Sequence, residues 1–474
     1  MRLTGDRLRL SRDGRPSNPW RLVALSVLIT MGVLLIWLHE TGRVQPLFLP
    51  TYTPTRTALS YAEEGKTYFS AGDLRGAIEA YQNAVQIDPG DARLWAELAR
   101  IQTYSSALLT TADQRRERLT EARAAADRAI EIDPEDSFAH AIRTLVYDWS
   151  ASAEESIEGQ SQREEFLNTA QTAAARALQL DPGNGLALAF YAEVQLDQQV
   201  FDQAILLATQ AVAQADDQDP FSMDIHRVYA TVLESDAQYR LAIEEYLRAA
   251  EIAPNFTYLY LLIGANYRQL RDIERALEYF ERAARINEQI RVLDPTPYLA
   301  IGKTYSQQGE FFIAAINIEH ALAIDPQNPD IYGRLGIVFF KARNYESAVV
   351  ALQCAVDGCS AEVSQTLLCQ YVFECGTGTD QGQQYGVEVT GLNLGDASLE
   401  YYYTYGSVLV YFRDTAEFPN ACTDAERVFQ QLLATYTEDS TVYGTVSGIV
   451  SENRLLCAGG GLPTTQTPGP TPNP

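Results

Sequence analysis

The chain of 474 residues has little positive charge, with 36 lysines and arginines against 62 aspartates and glutamates. Only three of its basic residues are lysines, namely Lys66, Lys303 and Lys341. The net charge of −26 argues against nucleic-acid binding, because basic side chains that neutralise phosphates dominate that affinity. We therefore expect no nucleic-acid partner.

The sequence also lacks the motifs that carry catalysis or bind metals. Its four histidines are scattered and form no His-Glu-x-x-His pattern. Gly302-Lys303-Thr304 matches the end of a phosphate-binding loop, but Pro297 stands where that loop needs a glycine. The stretch 444–448 places its serine wrongly for a nucleophile elbow. We expect no enzyme activity, no cofactor and no metal.

Cysteine is absent from the first 353 residues. All six cysteines follow, at Cys354, Cys359, Cys369, Cys375, Cys422 and Cys457. An even number clustered in one region indicates local disulfides in an exported domain. The simplest pairs are Cys422–Cys457, Cys354–Cys359 and Cys369–Cys375, although spacing alone does not fix the connectivity. A metal site is the alternative, but no Cys-x-x-Cys pair and no histidine beyond His320 supports it.

Long uncharged runs are rare, and the most prominent one is Leu22–Leu38, with seventeen residues. This length is near the lower limit for a transmembrane helix. Six arginines and two aspartates precede or adjoin it, and this positive bias predicts a cytoplasmic amino terminus. A cleavable signal peptide is the alternative, but no small-x-small site follows. We expect a retained single-pass anchor, with the rest of the chain periplasmic or on the cell surface.

Seven helix-like runs each end in aspartate or alanine followed by proline, the last of them at Asp325-Pro326. Before these steps, small and aromatic residues recur at fixed positions, as in Tyr61…Gly65…Tyr68…Gly72…Ala77…Tyr81…Ala84 and Tyr298…Gly302…Tyr305…Gly309…Ala314…Ala321. Spacings of three and four put the larger side chains on one helix face. The small residue lets a second helix approach closely, and the proline ends that helix. No such hairpin buries its apolar face alone, so neighbouring hairpins must stack.

This pattern resembles the tetratricopeptide repeat, a helix-turn-helix unit of about 34 residues. The resemblance covers most of residues 58–358. It implies an all-α fold, a right-handed superhelical solenoid of about eight units. Units two and three are overlong, with extra residues at 108–120 and 151–165. These residues form either longer helices with a solvated turn or a lip that a partner recognises.

The sequence predicts six regions along the chain. They are a basic cytoplasmic segment at 1–21, a transmembrane helix at 22–38, a proline-containing linker at 39–57, the solenoid at 58–358, a cysteine-containing cap with a degenerate helical pair at 359–457, and a disordered tail rich in proline, threonine and glycine at 458–474. Within the cap, residues 385–390 alternate as in a strand or hairpin.

In the tetratricopeptide family, the first helix of each unit lines a concave groove that holds peptide segments. Carried over to this sequence, the groove positions are Lys66, Phe69, Arg93, Arg100, Tyr104, Phe138, Trp149, Arg227, Tyr258, Leu261, Arg268, Lys303, Phe340 and Lys341. All three lysines belong to this set, which favours an acidic protein or peptide partner. Ordinary solvated charges on helix faces are the alternative. The family's lysine–asparagine clamp for a terminal carboxylate has Lys66 where it needs asparagine.

The sequence as a whole predicts a membrane-anchored, extracytoplasmic scaffold that binds protein partners in a cell-envelope assembly. A self-assembling envelope protein, associating through its repeats or its cysteine-rich end, is the alternative. A repeat domain that serves a catalytic partner in trans is the third possibility.

Overall fold

The computed structural model describes residues 18–40, 56–154, 160–216, 218–372, 385–416 and 418–459. Two compact units divide the chain, Met1–Arg56 and Thr57–Pro474. Within the described ranges the regular structure is helical, apart from one isolated β-bridge. The predicted all-helical class is therefore confirmed for these residues.

The first unit contains one described helix, α1, which spans Pro19–Glu40. Across the described ranges, none of the helices combines the length and the apolar character that a membrane crossing requires. The predicted transmembrane helix at 22–38 is therefore wrong, and so is the single-pass topology with extracytoplasmic repeats. Seventeen residues rise about 25 Å in a helix, less than the roughly 30 Å of a hydrocarbon core. Most of the predicted linker lies outside the described residues.

Among its described residues, the second unit begins with sixteen helices that pack as eight consecutive hairpins. These pairs are α2 Ala58–Ala71 with α3 Leu74–Ile87, α4 Ala92–Ser106 with α5 Ala112–Ile132, α6 Ser137–Ser152 with α7 Gln160–Leu180, α8 Gly185–Asp197 with α9 Phe201–Val212, α10 Ser222–Ser235 with α11 Tyr239–Ile252, α12 Thr257–Gln269 with α13 Ile273–Ile290, α14 Thr296–Gln308 with α15 Phe311–Ile324, and α16 Pro329–Lys341 with α17 Tyr345–Val356.

In the part of the chain that the structure describes, a cap of four helices follows the hairpins. Its members are α18 Ala361–Leu367, which continues into a π-helical turn, then α19 Leu399–Tyr411, α20 Ala421–Thr435 and α21 Tyr443–Cys457. Helices α19 and α20 form a further hairpin, and α21 packs against both. In the stretch predicted as a strand, Val389 pairs with Cys359 in an isolated antiparallel bridge, with both N–O distances 2.9 Å.

Two of the predicted disulfides are present. Cys354 is bonded to Cys359 and Cys422 to Cys457, with Cα–Cα distances of 4.7 and 5.8 Å. The first bond holds the end of α17 next to the bridge with Val389, and the second ties the start of α20 to the end of α21. Cys375 lies outside the described residues, so its pairing with Cys369 stays a prediction.

At Asp88, Asp133 and Asp181 the aspartate of the Asp-Pro step ends a helix and its carboxylate also forms the following turn, whereas Asp219 and Asp294 lie several residues beyond the preceding helix. Asp88 has φ −125° and ψ 82°, outside the helical region, as expected for a residue before proline. Its carboxylate accepts the N–H of Gly90 at 3.2 Å, and the carboxylate of Asp133 accepts that of Glu135 at 3.0 Å. An acidic residue before the proline thus satisfies a backbone N–H that has left the helix.

The extra residues of units two and three mainly lengthen the second helix of each hairpin. Helices α5 and α7 each have 21 residues, whereas α3 has 14. The interpretation of longer helices therefore accounts for most of these residues. Residues 155–159 of the second insertion lie outside the described ranges.

The helices of each hairpin cross closely at the predicted small residues. A methyl group added at Gly302 would lie 2.7 Å from Ile318 Cγ1, and one added at Gly336 would lie 2.6 Å from Leu352 Cγ. Both facing side chains are buried. Glycine is therefore required at these crossings because a larger residue would displace the neighbouring helix.

We expect Gly336→Ala to lower the free energy of unfolding by about 1–3 kcal/mol, because the added methyl group overpacks Leu352. Gly448→Ala is the matched control, since no heavy atom lies within 4 Å of its added methyl group. That control should raise stability by roughly 0.5–1 kcal/mol, because alanine loses less backbone freedom in a helix. Chemical denaturation measures both changes. Equal shifts in the two variants would contradict the close crossing.

Successive turns of the superhelix touch each other. Asn255 Nδ2 donates to the Ser70 carbonyl oxygen at 3.3 Å, which joins unit six to unit one. Asn328 Nδ2 donates to Thr110 Oγ1 at 2.5 Å, which joins unit eight to unit two. Residues more than 180 positions apart in sequence are therefore neighbours, and the first six units form a closed turn.

Candidate functional site

The first helices of the closed turn bring charged side chains to one buried point. Arg100 of α4 donates to Asp224 of α10, with Nε–Oδ2 3.1 Å and Nη2–Oδ2 2.5 Å. The Tyr104 hydroxyl donates to the other oxygen of Asp224. Arg227 donates two N–H groups to Glu193 of α8, at 2.8 and 2.7 Å. These five side chains, the closed centre, are each less than one-tenth exposed.

Aromatic rings surround the closed centre. The ring centroids of Phe69 and Phe256 are 5.6 Å apart, and those of Tyr104 and Phe256 are 5.2 Å apart. The Trp149 ring lies edge-on to Tyr104 at 5.5 Å, and its indole N–H donates to Glu193 Oε1 at 3.1 Å. Side chains from units one, two, three and six therefore fill the interior of the closed turn.

Seven predicted groove residues belong to this interior: Phe69, Arg100, Tyr104, Phe138, Trp149, Arg227 and Tyr258. Four of them, Arg100, Tyr104, Phe138 and Arg227, are buried in this interior and do not face an open groove. The physical reason is that Asp224 and Glu193 from other units neutralise the two arginines. Both arginines are therefore paired within the chain, across the closed turn.

Three other predicted positions lie elsewhere on the repeats. Lys66 is exposed and pairs with Glu63 at 2.8 Å. Arg93 is exposed, with its guanidinium carbon 4.2 Å from the centre of the Phe138 ring. Leu261 is half-buried and packs beside the core of the closed turn. These positions present scattered side chains rather than one surface.

An open groove lies between α14, α16 and α19, with a volume of about 350 Å³. Lys303, Arg334, Lys341 and Glu400 form its polar walls, and Leu299 and Ile337 contribute apolar surface. The name "open groove" refers to these six residues below. Lys303 and Lys341 are exposed, whereas Arg334 is half-buried. Three cations and one carboxylate therefore face a partly apolar floor.

The cations of the open groove are only partly neutralised. Arg334 Nε donates to Asp330 Oδ2 at 2.7 Å, and Lys341 Nζ lies 3.4 Å from Glu400 Oε1. Partial burial of its side chain lowers the pKa of Lys303, and the nearby charges of Arg268 and Arg334 lower it further. Burial also lowers the pKa of Arg268, whose Nη1 donates to Thr304 at 3.3 Å. An incoming carboxylate would relieve this repulsion.

The structure therefore brings three predicted residues together, since Arg268 lies close to Lys303 and Lys341 shares the open groove. Phe340 is not among the residues that line the open groove, and it packs against the Tyr345 ring, with centroids 5.8 Å apart. Sequence reasoning missed Arg334, although it precedes Lys341 by seven residues, two helical turns, and so shares its face. Glu400 had no such signal, because it comes from the cap.

Two stretches of the chain match family models. Residues 65–102 match a model described as "TPR repeat", and residues 257–290 match one described as "Tetratricopeptide repeat". The first stretch runs from α2 through α3 into α4. The second comprises α12 and α13. Both stretches thus coincide with helical hairpins of the closed turn.

Two curated proteins are similar to parts of the chain. The BBSome complex member BBS4 of Bos taurus is 28% identical over 117 residues, which are 24% of this chain and 21% of that protein. The anaphase-promoting complex subunit 3 of Schizosaccharomyces pombe is 22% identical over 131 residues, which are 28% of this chain and 19% of that protein. The chain therefore spans about a fifth of the length of these relatives.

Two solved structures are also similar. A thermophilic TPR protein of Thermus thermophilus superimposes with a TM-score of 0.35 and 17% identity, over 44% of this chain and 98% of that one. MamA superimposes with a TM-score of 0.29 and 19% identity, over 36% of this chain and 95% of that one. The two family-model matches show that the chain is a repeat protein, with tetratricopeptide repeats at residues 65–102 and 257–290.

Proposed function

We propose that the protein is a non-enzymatic scaffold that binds an acidic segment of a protein partner in the open groove. The observation that carries this proposal is the meeting of Lys303, Arg334 and Lys341 beside an apolar floor. Two of the three lysines of a chain with net charge −26 lie here. Tetratricopeptide repeats are protein-interaction modules, which supports a scaffold.

The chemistry of the open groove suits a segment that alternates acidic and apolar side chains. Carboxylates would pair with Lys303 and Arg334, while apolar side chains would cover Leu299 and Ile337. Charge attraction would speed association and would weaken as salt screens it. Both curated relatives are described as parts of multiprotein complexes, which also favours an assembly role.

A labelled peptide of alternating glutamate and leucine tests this proposal by fluorescence anisotropy. We expect the intact chain to bind it, and Lys303→Glu with Lys341→Glu to weaken binding by about tenfold or more, because two attractive charges become repulsive. Lys66→Glu with Arg240→Glu is the matched control, since it makes the same charge change at exposed positions outside the open groove. The control should retain both the affinity and its salt dependence.

Equal affinity in the two double variants would contradict the proposal. A peptide of alternating lysine and leucine that competes with the acidic peptide for the same site, with equal affinity, would also contradict it. Light scattering tests for self-association. If the mass of the intact chain rises with concentration and the mass of the Lys303→Glu/Lys341→Glu variant does not, the open groove binds a second copy of the chain and not an external partner.

A further inference from the structure

A second pocket opens at the edge of the closed turn and has the opposite charge. It has a volume of about 360 Å³ and lies where α6, α8, α10 and α12 meet. Four carboxylates line it, from Asp148, Glu193, Asp197 and Glu234, against two guanidinium groups, from Arg115 and Arg227. Trp149 and Tyr258 contribute aromatic surface. This size is within the range of about 300–1,000 Å³ that small-molecule sites occupy.

Three of the four carboxylates already have partners. Glu193 forms the bidentate pair with Arg227. Glu234 accepts from the Tyr246 hydroxyl at 3.0 Å and from Asn266 Nδ2 at 2.8 Å. Asp197 accepts from the Ser152 hydroxyl. These contacts leave Asp148 as the carboxylate that needs a donor.

Asp148 is only 1% exposed, and its Oδ1 atom is buried without a hydrogen-bond partner. Leaving a buried acceptor unpaired costs about 1–3 kcal/mol, and more for a charged group. Burial raises the pKa of Asp148 well above its ordinary value, and the charges of Asp197 and Glu193 raise it further. The arginines that reach this carboxylate electrostatically, Arg227 and Arg163, only partly offset these effects.

A positively charged donor would satisfy the unpaired Asp148 oxygen and would offset the repulsion among the carboxylates. It would donate to Asp148, cancel the repulsion with Asp197, and lie against the faces of Trp149 and Tyr258, which attract cations. Within the described residues, no three histidine, cysteine or acidic side chains are arranged to hold a metal ion. The aromatic walls also favour an organic cation over a hydrated metal ion.

We propose that this pocket binds a protonated primary amine, either a small free amine or the ammonium group of a lysine side chain from a partner. Asp148 and Asp197 would accept its N–H groups, and the aromatic walls would cover its methylene carbons. The pocket is independent of the open groove, so this proposal does not rest on the one made for that surface. The protein would then carry two recognition sites of opposite charge.

Isothermal titration of the full chain with cadaverine tests the proposal. We expect saturable binding, and Asp148→Asn should weaken it by about tenfold or more, because a charged acceptor becomes a neutral amide. Asp202→Asn is the matched control, since it removes the same charge from an exposed position on α9 and should bind normally. Pentanol, which lacks the charge, should not bind.

A lysine-containing hexapeptide separates the two sources of the amine. Binding of the peptide with the same dependence on Asp148 assigns the pocket to a partner's side chain, whereas binding of cadaverine alone assigns it to a free amine. If Asp148→Asn fails to fold, Asp197→Asn serves as the second variant, with the same expected weakening. The absence of amine binding to the intact chain, or equal binding by the intact chain and both aspartate variants, would overturn the proposal.

Discussion

Replacing Arg100 by methionine should lower the free energy of unfolding by about 3–5 kcal/mol. The change removes both N–H groups that Asp224 receives from the guanidinium, and Asp224 has no solvent exposure. Tyr104 alone would then face a buried charge. Because removing one partner leaves the other charge uncompensated, this penalty exceeds the net contribution of the intact pair.

Equilibrium denaturation measures this change in stability, and two further variants show whether the Arg100 charge causes it. Arg100→Met combined with Asp224→Leu should recover much of the lost stability, because the Asp224 charge is then removed together with its partner. Arg128→Met, which breaks the exposed pair with Glu131, should shift stability by less than about 1 kcal/mol. A double variant as unstable as the single one would show that the arginine acts through packing rather than through its charge.

Removing the Cys422–Cys457 disulfide by a double serine substitution should have the second-largest effect, about 2–4 kcal/mol. The two cysteines are 35 residues apart in sequence, so the bond removes considerable freedom from the unfolded chain. The loss should be local to α20 and α21, because α21 packs mainly against the last hairpin among the described helices.

Hydrogen exchange of residues 443–457 with and without reductant measures this effect. Serine substitutions at Cys354 and Cys359 provide the comparison, because those cysteines are only five residues apart and constrain the unfolded chain less. Unchanged protection of α21 after loss of the Cys422–Cys457 bond would show that packing against α19 and α20 alone holds this helix.

Local features of the fold could be predicted because they depend on short-range rules. Gly302 and Gly336 indicated close helix crossings, and Asp-Pro steps such as Asp88-Pro89 marked helix ends, through contacts within one hairpin. Cys422 and Cys457 could be paired because they bound adjacent helices. In each case the residues that decide the structure lie in the same or the next helix.

The closed centre could not be predicted from these rules. Arg100 and Asp224 are 124 residues apart, and no repeat pattern states how tightly the superhelix winds. The same arginine would line a groove in a wide turn and is buried in a narrow one. The pocket around Asp148 depends on the same winding, since its walls come from several separate units. The membrane prediction failed for a different reason, because Leu22–Leu38 lies at the limit of the length rule.

The hydrogen bonds that join Asn255 to Ser70 and Asn328 to Thr110 have a consequence for cooperativity. A linear array of repeats interacts only with nearest neighbours, so its ends fray and its unfolding spreads unit by unit. Here the first unit has a second neighbour in the sixth, which makes this part of the array cyclic. Its six units should therefore melt as a single block, and the contact of Asn328 with Thr110 should couple unit eight to that block.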